Sequence, residues 1–175
     1  KIIDYANSKL RNDFFDMHLL ANCEAYLGSE SGIFSAALIF NKPVYLINTT
    51  TTNIFSMTKF NNRIFTFKRI RNIKTGELLS MKDILQSNFA YCTDSEEFKK
   101  NNVELVSNTS EEIKSFAVEM YSQLNGNIID GEKDDAKLQK KFWNIYYKFV
   151  NNKKIGSIKP QVSSSFLRSN LDLLN

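Results

Sequence analysis

The sequence has little of what metal, redox and nucleophilic sites are usually built from. It holds one His, two Cys and one Trp, and only six Gly and two Pro in 175 residues. A single imidazole cannot complete a His cluster, and Cys23 and Cys92 form no metal or redox spacing. These residues offer no Cys/His metal or redox motif, and both thiols read as reduced and packed in a cytosolic protein. No apolar run approaches a bilayer-spanning length, and no signal-peptide pattern opens the chain. The net charge of +4 and the pI near 9.0 come from lysines spread along the chain. The densest basic cluster, Lys68, Arg69, Arg71 and Lys74, belongs to no nucleic-acid motif and reads as a solvated face. Nucleic acid is thus not an expected partner, while weak peripheral contact with an anionic membrane surface stays open.

What is there is an ordinary globular core. The length suits one domain, and 42% of the residues are hydrophobic. Residues 1–162 read as that domain, with 163–175 as a helical tail capped by serine that packs back on it or on chain lying outside this sequence. There are no internal repeats. The chain begins inside Ile2-Ile3-Asp4-Tyr5, an apparent first strand, without Met, and is expected to be a piece of a longer protein.

The most informative stretch lies between Asn22 and Asn48. Residues 25–27 form a short apolar run ending in Gly28, then Ser29, Glu30, Ser31 and Gly32 make a tight polar loop. Apolar turns from Ile33 follow, stopped by Asn41 and Pro43. Val44 to Ile47 is a continuous apolar run, as in a strand buried on both faces. Two such strands joined by a helix are parallel, so the 28–32 loop and the residues from Asn48 to Thr52 share one sheet edge. If Ile2–Tyr5 is a third parallel strand, Ser8 and Arg11 face the same crevice, where open α/β sheets place ligands. The helix start offers free N–H groups to phosphate oxygens, and Arg11 can engage two of those oxygens at once. Glu30 would repel phosphate and suits ribose or sugar hydroxyls.

The rest of the chain supplies helices and more strands. A helix from Asp13 carries Phe14, Met17, Leu20 and Ala21 on one face, with His18 packed or at the surface. Residues 64–67 look extended, and 103–106 read as a strand near an edge. Ser80 and Asp83 mark a helix start that carries Ile84 and Leu85 inward. Thr109 opens the clearest helix, with Ile113, Phe116, Ala117, Met120 and Leu124 at core spacing. A second long helix over 134–150 places Leu138, Phe142, Ile145 and Phe149 on a stripe, and 151–162 reads as a linker.

Several segments in combination resemble a family of bacterial GT-B-type glycosyltransferases from surface-polysaccharide gene clusters. They are Asp4-Tyr5-Ala6-Asn7-Ser8, Arg11-Asn12-Asp13-Phe14-Phe15-Asp16, Leu20-Ala21-Asn22-Cys23, Leu27-Gly28-Ser29-Glu30-Ser31-Gly32 and Phe40-Asn41-Lys42-Pro43. The closing Ser164-Ser165-Phe166-Leu167 and Asn170-Leu171-Asp172-Leu173-Leu174 resemble the end of that family, so the likeness covers nearly the whole chain. Glu30 stands where Asp is more usual, which keeps the charge and lengthens the reach. The resemblance implies an α/β, Rossmann-like three-layer domain with a mostly parallel sheet and C-terminal helices, the C-terminal half of a GT-B architecture. It implies binding of a nucleotide-sugar donor at Ser8, Arg11, Gly28, Ser29, Glu30, Ser31, Gly32 and Asn48, without an essential metal. The acceptor, a glycan or lipid-linked molecule, and the catalytic base would come from a missing N-terminal half, in the cytoplasm or at the inner membrane face. No catalytic residue is assigned within this chain. A sugar-nucleotide epimerase on the same plan and a non-catalytic interaction module are the alternatives. In the bland reading, Ser29 or Ser31 only caps the helix and Arg11 pairs with Asp13 or Asp16.

Overall fold

A computed structural model describes residues 2–50, 62–90, 92, 94–126, 134–149 and 161–175. Its centre is a four-stranded parallel sheet of β1 (Tyr26–Gly28), β2 (Val44–Thr49), β3 (Asn62–Phe67) and β6 (Gln161–Val162), in that spatial order. Alternation along β2 and β3 sends side chains to both faces. Val44, Leu46, Phe65 and Phe67 join the larger core with Leu20, Ala37, Phe142, Tyr146 and Phe166. Tyr45 and Ile64 face the other way, against Phe116, with Ile47 and Met120 beside them. Helices α1 (Asp13–Asn22), α2 (Gly32–Ile39) and α6 (Asp135–Phe149) supply the first layer, and α5 (Ser110–Leu124) the second. The protein is α/β, with a parallel sheet covered on both faces.

Between β3 and α5 the chain leaves this sheet and builds a smaller unit. There β4 (Arg69–Asn72) pairs antiparallel with β5 (Val103–Val106), and α3 (Met81–Gln86) and α4 (Ser95–Lys100) pack against the pair. Its core is Ile70, Ile84, Phe89, Phe98 and Val103. Ser80 starts α3 by accepting from the Asp83 amide at 3.2 Å. Thr109 and Glu112 close a reciprocal capping box at α5.

Several expectations from sequence change here. Ile2–Tyr5 is not a strand: Ile2 is 98% exposed, and the chain runs through turns to Asn12. Asn12 caps α1, accepting from the Phe15 amide at 2.9 Å, and Asp13 stands in its first turn. Of the expected α1 face only Leu20 is buried, while Phe14 is 71% exposed. Ile39 and Phe40 at the end of α2 are exposed as well, so this flank of the molecule carries unpartnered apolar side chains. Burial in α6 centres on Phe142, Trp143 and Tyr146, and Leu138, Ile145 and Phe149 of the expected stripe pack half-buried against the same core. Gln161–Val162 is a strand and not linker, and residues 151–160 lie outside the described residues. The tail after Val162 is core: in α7 (Ser164–Ser169) and the following 3-10 turn (Leu171–Leu174), Phe166, Leu167, Leu173 and Leu174 are buried.

The basic cluster is also misread by composition. Arg69 is 4% exposed and reaches the C-terminal turn, donating to Asn170 Oδ1 at 2.5 Å and to Asp172 Oδ2 at 2.7 Å. The other three keep contact with solvent, Lys68 and Arg71 half-buried and Lys74 exposed. No helix among the described residues is long and apolar enough to cross a membrane.

Candidate functional site

The carboxyl ends of β1 and β2 carry the loops that the sequence singles out. Tyr26 organises the first of them. Its hydroxyl donates to the Ser29 carbonyl at 3.2 Å and lies 3.5 Å from Ser31 Oγ. The ring folds over Gly28, where an added Cβ would stand 2.5 Å from the hydroxyl oxygen and 2.8 Å from Cζ. Glycine is needed here for space. Gly28→Ala therefore pushes the Tyr26 ring off the loop at a cost of about 1–3 kcal/mol. Thermal unfolding should record the loss, and in a Tyr26→Ala background the Gly28→Ala change should add almost nothing.

The loop leads into α2 through Ser31, which sits at the N-cap with extended backbone but makes no side-chain cap bond. The serine-cap reading thus does not describe this helix. The Phe34 amide bonds back to the Ser31 carbonyl at 3.2 Å. The amides of Gly32 and Ile33 are left without a hydrogen-bond partner among the described residues. At Gly32 an added Cβ would meet nothing within 4 Å, so open space lies beside its Cα. Such a helix start, with unpaired donors and the positive end of the helix dipole, favours an anion.

Glu30 crosses from this loop to the next. Its Oε2 accepts from the Thr50 amide at 3.2 Å and from the Thr50 hydroxyl at 3.4 Å. Among the described residues Oε1 accepts no hydrogen bond from the protein, so one carboxylate oxygen remains for a hydroxyl. Asn48 is bound into the fold: its Oδ1 accepts from the Asn108 amide at 2.6 Å, and its own amide donates to Asn108 Oδ1 at 3.1 Å. Thr51 and Thr52 lie outside the described residues.

Ser8 and Arg11 are placed differently from expectation. The Ser8 hydroxyl accepts from the Leu10 amide at 3.3 Å, and the Arg11 amide donates to the Ser8 carbonyl at 3.3 Å. Both belong to a turn before α1 and not to the end of a strand. Among the described residues Arg11 has no ion pair, with Asp13, Asp16 or any other carboxylate. The structure thus joins the 28–32 loop to the 48–50 segment and makes no hydrogen bond from either to Ser8 or Arg11. The topology also lacks a reversal of strand order among the described strands, which run β1-β2-β3-β6 in sequence order. The crevice at such a reversal is replaced by a plain sheet edge.

Against known protein families, curated proteins and solved structures, the chain has no match in any of the three comparisons. The site is therefore read from its own geometry. No group of three or more His, Cys, Asp or Glu among the described residues stands together to hold a metal. His18 stacks on Phe14 at 5.8 Å and stays exposed, remote from any hydrogen bond to these loops. Reading along the sequence missed Tyr26, hidden in an apolar run, and Asn108, whose partner stands 60 residues earlier. No local pattern marks that second contact.

Proposed function

We propose that this chain is the donor-binding part of a nucleotide-sugar-dependent glycosyltransferase on the GT-B plan. The observation that carries the reading is the start of α2: two amides without a hydrogen-bond partner among the described residues, next to an unobstructed Gly32 Cα, at the carboxyl end of a parallel strand. Donors fixed in advance at a helix start offset the negative charge that gathers on a departing diphosphate. Glu30, with one oxygen held by Thr50, suits a ribose or sugar hydroxyl, and the exposed Arg11, without an ion pair among the described residues, supplies a cation for phosphate oxygens. Ser8 is a secondary hydrogen-bond partner. The catalytic base, and the acceptor, a glycan or lipid-linked molecule, belong to a further domain, with the protein at work in the cytoplasm or against the inner face of a membrane.

Gly32→Pro tests this reading without breaking the helix. Proline is favoured at the first helical position, Ser31 already has the extended backbone that precedes proline, and no atom obstructs the ring's Cβ. In a panel of nucleoside diphosphates, one at a hundred times its Kd should raise the melting temperature of the wild-type chain by about 5–10 °C. Gly32→Pro, one donor short, should keep its fold and weaken that diphosphate's binding by about tenfold. An Arg11→Ala, Glu30→Ala double variant should weaken it further, and the chain by itself should transfer no sugar. Absence of any stabilisation by the whole panel would overturn the reading.

A non-catalytic interaction module is the second reading, and one observation favours it. Phe14, Met17, Ile39 and Phe40 are exposed on adjoining helices, and an apolar surface of this kind marks a contact with another polypeptide. Under that reading the Arg11→Ala, Glu30→Ala variant of the full-length protein keeps all of its activity.

A further inference from the structure

The parallel ladder between β2 and β3 is irregular at Asn48. Leu46 stands opposite Phe65 and Thr49 opposite Phe67, so β2 spends one residue more than its partner over this step. Asn48 takes the left-handed backbone there, with φ 54°. Asparagine tolerates that conformation better than most residues but does not enforce it. What enforces it is Asn108, in the short connection between β5 and α5.

Asn108 is 8% exposed, and both of its side-chain polar atoms are used. Oδ1 accepts from the Asn48 amide at 3.1 Å and from Thr66 Oγ1 at 2.7 Å, and Nδ2 donates to the Phe67 carbonyl at 3.1 Å. Its backbone amide returns the bond to Asn48 Oδ1 at 2.6 Å. Asn108 is itself held firmly. The next residue, Thr109, caps α5 with Glu112, and Glu112 Oε1 accepts from Asn170 Nδ2 at 2.7 Å. Two residues beyond Asn48, Thr50 leaves the sheet and gives its amide and hydroxyl to Glu30.

We propose that Asn108 is a positioning residue for the candidate site, acting through Asn48 and Thr50 on Glu30 and the loop before α2. Its functional meaning rests on the donor-site reading above, but its geometry does not. The bulge fixes where Thr50 emerges, Thr50 fixes Glu30, and Glu30 ties the 28–32 loop to β2. A residue at the neck of the smaller unit therefore sets the spacing between the two loops of the site.

The test uses Asn48, because Asn108→Ala removes a buried network and invites unfolding. Asn48→Gly keeps the left-handed backbone and deletes only the Oδ1 acceptor. Asn48→Asp keeps an acceptor for the Asn108 amide. In the 175-residue chain, Asn48→Gly should speed hydrogen exchange of the Thr50 amide by about five- to tenfold, the size of one buried hydrogen bond. Asn48→Asp should restore it to within about twofold. Inorganic pyrophosphate, as the diphosphate probe, should bind Asn48→Gly more weakly than the wild-type chain by a similar factor. Equal Thr50 exchange in the two variants would overturn the proposal. If the wild-type chain takes up no pyrophosphate, the donor-site reading falls, and Thr50 exchange alone decides the role of Asn108.

Discussion

Phe67→Ala should lower the stability of the chain by about 3–5 kcal/mol, the range for removing a buried aromatic from a packed core. The ring is fully buried at the end of β3, and its neighbours come from distant parts of the sequence. It meets Phe166 edge-on at 5.0 Å, Phe142 of α6 at 5.9 Å and Phe65 at 6.3 Å. These contacts fasten α6 and the C-terminal helix to the sheet, so the cavity would open where three elements meet. Neighbouring rings fixed by their own packing can collapse into it only partly. The expected fall in melting temperature is about 6–20 °C for a domain of this size. Phe67→Leu, which keeps most of the volume, should cost less than half as much; equal losses would show that the ring contacts, and not the volume, carry the stabilisation.

Asp172→Ala should cost up to about 3 kcal/mol, because it strips the anionic partner from a buried guanidinium. Arg69 is 4% exposed while the Asp172 side chain is 53% exposed, so the penalty falls on the arginine and is discounted on the aspartate side. Arg69 keeps Asn170 Oδ1 but loses both bonds to the carboxylate. A double variant, Arg69→Met with Asp172→Leu, should recover part of the loss, since an apolar pair often replaces a buried ion pair without penalty. The same pair gives a pH signature. The hydrogen bond from Arg69 holds the Asp172 carboxyl below its usual pKa, against a smaller opposing effect of burial. Its stabilisation is thus complete above the ordinary carboxylate range, about pH 4, and is lost as pH falls through the lowered folded value. Chemical denaturation from pH 6 to pH 2 should show this acid-side loss in the wild type and a shallower one in Asp172→Asn.

The Arg69 contact also shows where composition misleads. Four basic residues close together suggest a solvated face, and three of them keep at least partial exposure. Arg69 does not, because β4 turns away from the main sheet and points it at a segment about a hundred residues on. Nothing between positions 69 and 172 announces the meeting. The capped helices are the opposite case. Ser80 with Asp83, and Thr109 with Glu112, are local devices whose donors and acceptors stand three residues apart, and both form as their spacing requires.

The failures of the N-terminal reading have a physical cause as well. Ile2–Tyr5 has strand composition, yet a strand needs a neighbour, and none of the described strands pairs with it. Phe14 and Met17 have helical spacing for a buried face, yet only Leu20 finds a core to enter. Periodicity states which residues could be buried together. It does not state whether another element is present to bury them.

For the candidate site the division is similar. The sequence alone settled the β1–loop–α2–β2 unit, because short continuous apolar runs, a small-residue loop and stop signals are all local. It thereby also determined that the 28–32 loop and the residues after Ile47 lie at one sheet edge, since a helix joining two neighbouring strands makes them parallel. Only the tertiary structure decided how that edge is built. Tyr26 claims the space above Gly28, Ser31 leaves the helix start uncapped, Glu30 spends one oxygen on Thr50, and Asn48 is held by Asn108. Each of these depends on side chains meeting across the sheet or through the core, and such meetings are set by packing rather than by spacing along the chain.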